Sequence, residues 1–259
     1  MNYVSESGHW YTRDGDPAYT YLNNAGEEKK TTLRQARTKS LVPSVTTVIG
    51  IADKPGLQHW KALETIRAAQ LIQRSHFDDD ASYIKSVMWE SKRVGKEAAD
   101  RGTELHAEIE RGFKGGPKVA AYCSVMSVLN EIFPDETWLA EEAFCSSLGY
   151  GGKIDLCSVA GVFVDFKTKD NLAEKTVNSL VYDEHGMQLS AYAQGKNFLN
   201  PERLSIFIDR KDPSIVKHYL WPTESHGRHI AMFKHLLSFW QLKNNYHTNV
   251  NTLENTDEH

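Results

Sequence analysis

The residues best suited to chemistry are Gly152-Lys153-Ile154-Asp155 and, ten residues on from that aspartate, Asp165-Phe166-Lys167. Leu156, Cys157, Val159 and Ala160 before Gly161, and Val162, Phe163 and Val164 after it, are apolar and favour strands joined by a tight turn. Pairing the two strands antiparallel brings Asp155 close to Asp165 and Lys167. Strand side chains alternate between faces, so Asp165 and Lys167, two apart, point the same way. Two carboxylates and a lysine at one spot suit a divalent cation and an activated water, the layout that phosphodiester hydrolysis needs. A surface hairpin with a cross-strand ion pair would use the same residues. Against that stands the aspartate inside a Val-Phe-Val-Asp-Phe run, since burying a carboxylate is costly unless something compensates it.

Two further groups stand out. In Arg101-Gly102-Thr103-Glu104-Leu105-His106, a helix puts Gly102, His106 and Glu110 on one face. Gly102 would let another backbone or a nucleic acid approach, and His106 would offer a ring nitrogen to a metal. A lone histidine on a helix is more often a plain surface residue. In Gln188-Leu189-Ser190-Ala191-Tyr192, Gln188 and Tyr192 lie one turn apart. The amide can hydrogen-bond a phosphate or base, and the tyrosine can do so or stack. Alone, this pair reads as the edge of a core.

The elements that must position these residues follow from periodicity. Residues 9–22 read as a hairpin around Asp14-Gly15-Asp16-Pro17. Ser44 is a candidate N-cap. Helical spacing runs over 56–75, over 81–112 with a break or shift near Gly95 or Gly102, and over 118–132. Strands are expected near 138–146, 151–159 and 162–168, a helix over 185–199, strands at 204–209 and 215–221, and a long helix from Glu224 to about Tyr246. The tail beyond that reads as disordered.

The 259 residues, 40% of them hydrophobic, allow one elaborated domain or two small ones. No apolar run reaches the ~18 residues of a membrane-spanning helix. The N-terminus lacks a signal-peptide pattern, and three widely spaced cysteines, Cys123, Cys145 and Cys157, fit a reducing cytoplasm without zinc spacing. A net charge of −4 weighs mildly against a nucleic-acid binder, but Lys29, Lys30, Arg34, Arg37 and Lys39 form a local basic run.

In chain order the motifs read Gly-Thr-x-x-His (102–106), Gly-x-x-Asp (152–155), Asp-x-Lys (165–167) and Gln-x-x-x-Tyr (188–192). This series resembles the RecB-like branch of the PD-(D/E)XK nucleases, which includes RecB-type nuclease domains, CRISPR-associated relatives and mitochondrial genome-maintenance exonucleases. The opening segment, with Asp14-Gly15-Asp16-Pro17 and Leu41-Val42-Pro43-Ser44, is similar to small bacteriophage exonucleases of that branch. The resemblance implies an α/β fold, a restriction-endonuclease-like central mixed sheet flanked by helices, with a helical N-terminal elaboration. It divides the chain into a hairpin and basic segment (1–43), a helical region supplying His106 (44–134), a nuclease core (135–248) and a tail (249–259).

The resemblance also implies roles. Asp155, Asp165, His106 and the Phe166 backbone carbonyl would hold Mg²⁺ or Mn²⁺. Lys167 would position the water, and Gln188 and Tyr192 would organise the site and touch DNA. Glu142 would be an additional acid, with Glu141 its rival because the strand register is open. Lys29, Lys30, Arg34, Arg37 and Arg101 would line the DNA path. The familiar proline before the first aspartate is absent, as is usual in this branch, with Ile154 in its place, and the cysteines that hold an iron–sulfur cluster in some relatives are missing, so no cluster is implied. The implied activity is a cytoplasmic (host-cytoplasmic if phage-encoded) exonuclease on single-stranded DNA ends in phage or bacterial recombination. A recombination or single-strand-binding protein would be its partner, and no membrane is involved. The alternatives are an endonuclease on branched or foreign DNA, and a non-catalytic nucleic-acid-binding or inhibitor protein of the same fold.

Overall fold

The computed structural model describes residues 8–248. The tail expected to be disordered, 249–259, lies outside the described residues.

The N-terminal segment is built of short pieces. β1 (Trp10–Tyr11) turns through Gly15, whose φ of +96° suits glycine, and pairs with β4 (Val42–Pro43). β2 (Thr20–Leu22) pairs with β3 (Glu28–Lys30) around an Asn23–Gly26 turn. The expected single hairpin over 9–22 is therefore corrected. The turn at Asp14–Pro17 forms, closed by Tyr11 opposite Pro17, but the following strand pairs forward with 28–30. The side chain of Asn23 accepts from the amides of Ala25 and Glu27 and holds that later turn, as Thr12 Oγ1 holds the first by accepting from the Asp16 amide. After α1 (Leu33–Thr38), Ser44 caps α2 (Val45–Ile49) by accepting from Thr47 N–H, as its sequence position predicts.

α3 (Pro55–Leu71) packs on α4 (Asp80–Phe113), a helix of 34 residues and so about 51 Å long. The expected break near Gly95 or Gly102 does not occur; α4 runs unbroken through both. Each glycine is a close-packing point, not a hinge. A Cβ on Gly95 would lie 3.2 Å from the Trp60 ring, and one on Gly102 would lie 2.9 Å from Thr168 Oγ1. Packing offsets the roughly 1 kcal/mol that a mid-helix glycine costs. α4 ends before Gly115, whose φ is +84°, and α5 (Ala120–Ile132) follows.

Five strands then form one mixed sheet, in the spatial order β5 (Trp138–Ser146), β6 (Tyr150–Ser158), β7 (Val162–Lys169), β8 (Glu202–Asp209) and β9 (Val216–Leu220). All neighbours are antiparallel except β7 and β8. A parallel pair needs a crossover, and α6 (Asp183–Gly195) supplies it. α7 (Ser225–Lys243) closes the described fold. α2, α6 and α7 cover one face, packing with Tyr150, Ile154 and Phe163; α4 and α5 cover the other, packing with Leu156, Val164 and Ile206. Covered on both faces, β7 is apolar at successive positions (Val162, Phe163, Val164), as a central strand should be. Among the described residues no helix is long and apolar enough to cross a membrane.

One irregularity positions the site. Ile154 and Leu156, two apart on β6, lie in opposite cores. The strand therefore changes face at Asp155. On one side, the pairing with β5 passes from Ala140–Leu156 to Glu142–Ile154, and the intervening Glu141 is left-handed, with φ of +63°. On the other, the ladder with β7 consists of Leu156–Val164 and Cys157–Phe163 and stops before Asp155 would meet Asp165.

Candidate functional site

Where β6 parts from β7, the Asp155 side chain takes the place of the missing ladder. Its Oδ2 accepts from the Phe166 amide at 2.9 Å. Its Oδ1 lies 3.6 Å from His106 Nδ1, on the face covered by α4. The His106 ring stands edge-on to Phe166, 5.8 Å between centroids. Gly102, one turn earlier, lets α4 approach Thr168 closely enough for this contact.

Asp165 is 1% exposed, on the face covered by α6. Its Oδ1 accepts from Lys167 Nζ and from Gln188 Nε2, both at 2.7 Å. Lys167 Nζ also donates to Gln188 Oε1 at 3.1 Å and lies 2.6 Å from Asp165 Oδ2. Gln188 Nε2 donates to the Tyr192 hydroxyl at 2.9 Å. The amide thus grips acid, lysine and tyrosine together, which only the one-turn spacing of Gln188 and Tyr192 permits. Tyr192 is nearly buried, edge-on to Phe144 at 5.9 Å. A Cβ on Gly152 would stand 2.8 Å from Tyr192 Cε1, so glycine there makes room for the ring.

The two carboxyls are driven apart in proton affinity. Burial pushes Asp155 up, but the charge of His106, Lys167 and the Phe166 amide outweigh it and hold it below the ordinary aspartate value. Burial raises Asp165; Lys167 opposes this, the charge of Asp155 adds to it, and the balance stays high. Burial lowers His106, but Asp155 and Asp165 more than reverse that. Added positive charge would relieve the Asp155–Asp165 repulsion. Asp165 Oδ2 is buried and accepts no aligned hydrogen bond, despite its closeness to Lys167. Two carboxylates and an imidazole suit Mg²⁺ or Mn²⁺ in kind. Among the described residues, however, no three His, Cys, Asp or Glu side chains stand together as a ready-made metal cage.

Other expected residues lie apart from this network. Glu142 pairs with Lys196 at 3.5 Å, and Glu141 pairs with Lys153. Phe166 is the exception, joined to Asp155 through its amide. Arg37 donates to the Asn244 carbonyl and stacks on Tyr246, and Arg101 binds Glu104, Glu108 and the Arg210 carbonyl. Lys29 pairs with Glu27 at 2.9 Å, and Lys30 and Arg34 are exposed.

Sequence reasoning passed over Tyr11 and Tyr19, whose hydroxyls meet at 2.5 Å; burial holds both phenols above their ordinary value, and the charge of Asp155 adds to this at Tyr11. It also missed His185, one turn before Gln188 and 8% exposed. Burial first, then Lys167, Lys169 and Lys54, lower His185 to about 3 from 6.5. Its folded-state pKa is depressed, so its contribution to stability is whole above pH 6.5 and drains away as pH falls toward 3. At about 1.4 kcal/mol per pH unit, roughly 2–3 kcal/mol should be gone by pH 4.5. Thermal melts should show that His185→Phe loses markedly less stability than the wild type between pH 6.5 and 4.5; parallel losses would refute the assignment.

No protein family matches the chain, and no curated protein does. Among solved structures, an alkaline exonuclease from Laribacter hongkongensis is similar over 73% of this chain and 98% of its own, with 12% identity and a TM-score of 0.33. The protein SSO0001 is similar over 47% of this chain and 61% of its own, with 18% identity and a TM-score of 0.26. At such low TM-scores neither bears on what this chain does.

Proposed function

We propose that the chain is a metal-dependent DNA exonuclease of the PD-(D/E)XK kind, acting on single-stranded ends. The observation that carries this reading is convergence. His106, Asp155, Asp165, Lys167, Gln188 and Tyr192, drawn from two helices and two strands, gather at one place: His106 meets Asp155, while Asp165, Lys167, Gln188 and Tyr192 form a second bonded group, and the charges of the two groups act on each other. Chance motifs have no reason to meet.

Asp155, Asp165, His106 and the Phe166 carbonyl would hold Mg²⁺ or Mn²⁺, which when bound supplies positive charge that activates water and stabilises the phosphoryl oxygens. Lys167, 26% exposed on its side chain, can reach a water while Asp165 and Gln188 restrain its Nζ. Held there, the ammonium orients the nucleophile and offsets charge developing on the phosphorus oxygens. Gln188 fixes both groups and is itself fixed by Tyr192. Lys30 and Arg34, exposed and without an ion pair among the described residues, are the basic residues of the N-terminal run that would be free to meet a DNA backbone.

End-labelled single-stranded oligonucleotides and closed single-stranded circles test the reading. With Mg²⁺ or Mn²⁺ the linear strand should be degraded from its end and the circle left intact, with no reaction in EDTA. Cutting of the circle would replace the exonuclease with an endonuclease, and inertness with both metals would remove the nuclease.

A further inference from the structure

β7 carries a third polar side chain on the face of Asp165 and Lys167, namely Lys169, two residues on. Its Nζ lies 5.7 Å over the Tyr182 ring, at the start of α6. No side chain caps that helix end. The His185 ring, in the first turn, stands edge-on to Tyr182 at 5.6 Å and against Phe207 at 5.9 Å. It is more than nine-tenths buried, and its Nδ1 has no hydrogen-bond partner among the described residues.

The charges around this point are unbalanced. Lys169 is half-buried, and Lys175, Lys167 and Arg210 crowd it with like charge. Lys167 has Asp165 and Arg210 has Asp170, whereas Lys169 and Lys175 form no ion pair among the described residues. Glu184, the acid that acts on Lys169, is already 3.9 Å from Lys54. The first turn of α6 already carries Asp183, paired with Arg228, and Glu184, so the call for an anion comes from the side chains: a half-buried ammonium among cations and an orphaned buried imidazole nitrogen are both relieved by one.

We propose that Lys169 and His185, at the N-terminal end of α6, form a subsite for a phosphate group of the nucleic-acid strand, adjoining the reaction centre at Asp155, Asp165 and Lys167. This rests on the nuclease reading of that centre. Lys167 and Lys169 are about 6.8 Å apart along the strand, far enough to serve different phosphates. Lysine acts on a phosphate as a point charge, so Lys169 binds and positions the strand and takes no part in the bond cleavage.

The test compares the wild type, Lys169→Gln and Lys169→Arg on a single-stranded oligonucleotide bearing either a 5′-phosphate or a 5′-hydroxyl. KM and kcat are measured at low salt, and affinity by fluorescence anisotropy across a salt series. Lys169→Gln should raise KM about tenfold, the worth of one hydrogen bond to a charged group. Its kcat should stay within about twofold, and the slope of log affinity against log salt should become shallower by about 0.7. Lys169→Arg should restore both. A loss seen only with the 5′-phosphate assigns the subsite to a strand terminus, and a loss with both ends assigns it to an internal phosphodiester. Equal KM and salt slope for wild type and Lys169→Gln overturn the subsite while leaving the nuclease reading intact. A wild type that neither binds nor cleaves overturns both.

Discussion

Asp165→Asn should reduce cleavage of end-labelled single-stranded DNA by about 10³-fold, the scale seen when a preorganised electrostatic group is lost, while the protein stays folded. The substitution keeps the shape of the side chain. It replaces a buried carboxylate that accepts from both Lys167 and Gln188 with an amide that has one acceptor oxygen. The Lys167 ammonium then loses its counter-charge and the position that Gln188 and Asp165 impose together. Folding should suffer less, because the Lys167 side chain is 26% exposed and its ammonium can turn to water, and because burial already disfavours the charged form of Asp165. Parallel melting curves and rate measurements separate the two effects. Activity within about twofold of wild type would remove Asp165 from the reaction, and Lys167→Ala is the independent check on its partner.

Phe144→Ala carries the largest expected cost in stability, about 3–5 kcal/mol, as for other buried phenylalanines. Phe144 is 6% exposed and sits edge-on to both Tyr150 and Tyr192. Its ring fills the space that Gly152 and Gly195 leave, since a Cβ on either would lie within 3 Å of it. Truncation opens a cavity directly behind Tyr192, the residue that steadies Gln188. Denaturant unfolding should therefore show a lowered midpoint, and hydrolysis should fall further than the unfolded fraction explains. Phe144→Leu should recover most of the stability. A loss below about 1 kcal/mol for Phe144→Ala would show that this space collapses without it.

Much of the site was legible because it rests on local geometry. The two-residue repeat of a strand puts Asp165 and Lys167 on one face, and the observed ion pair agrees. The 3.6-residue repeat of a helix puts Gln188 and Tyr192 together, and they bond. The same strand repeat reaches Lys169, and following it one step further would have found that lysine. The helices over 55–71 and 120–132 and the strands of the sheet lie close to where their apolar spacing put them. The break expected in α4 failed because a glycine's intrinsic cost is local, whereas Trp60 and Thr168, which pack against Gly95 and Gly102, come from elsewhere in the chain. Arg37 and Arg101 failed to stand free for a similar reason. A basic residue counts as available in a sequence, but Asn244, Tyr246, Glu108 and the Arg210 carbonyl take them up once the chain folds.

The sequence by itself determined which side chains share a face along one strand or one helix, because backbone geometry repeats without reference to distant residues. Only the tertiary structure decided that β6 would part from both neighbours at Asp155, that His106 and Gln188 would approach the carboxylates from opposite faces of the sheet, and that His106 and the Phe166 amide, against a burial that raises both acids, would separate Asp155 from Asp165 in proton affinity. Those outcomes depend on which surfaces pack and which charges lose their water, and such interactions join residues that have no fixed spacing along the chain.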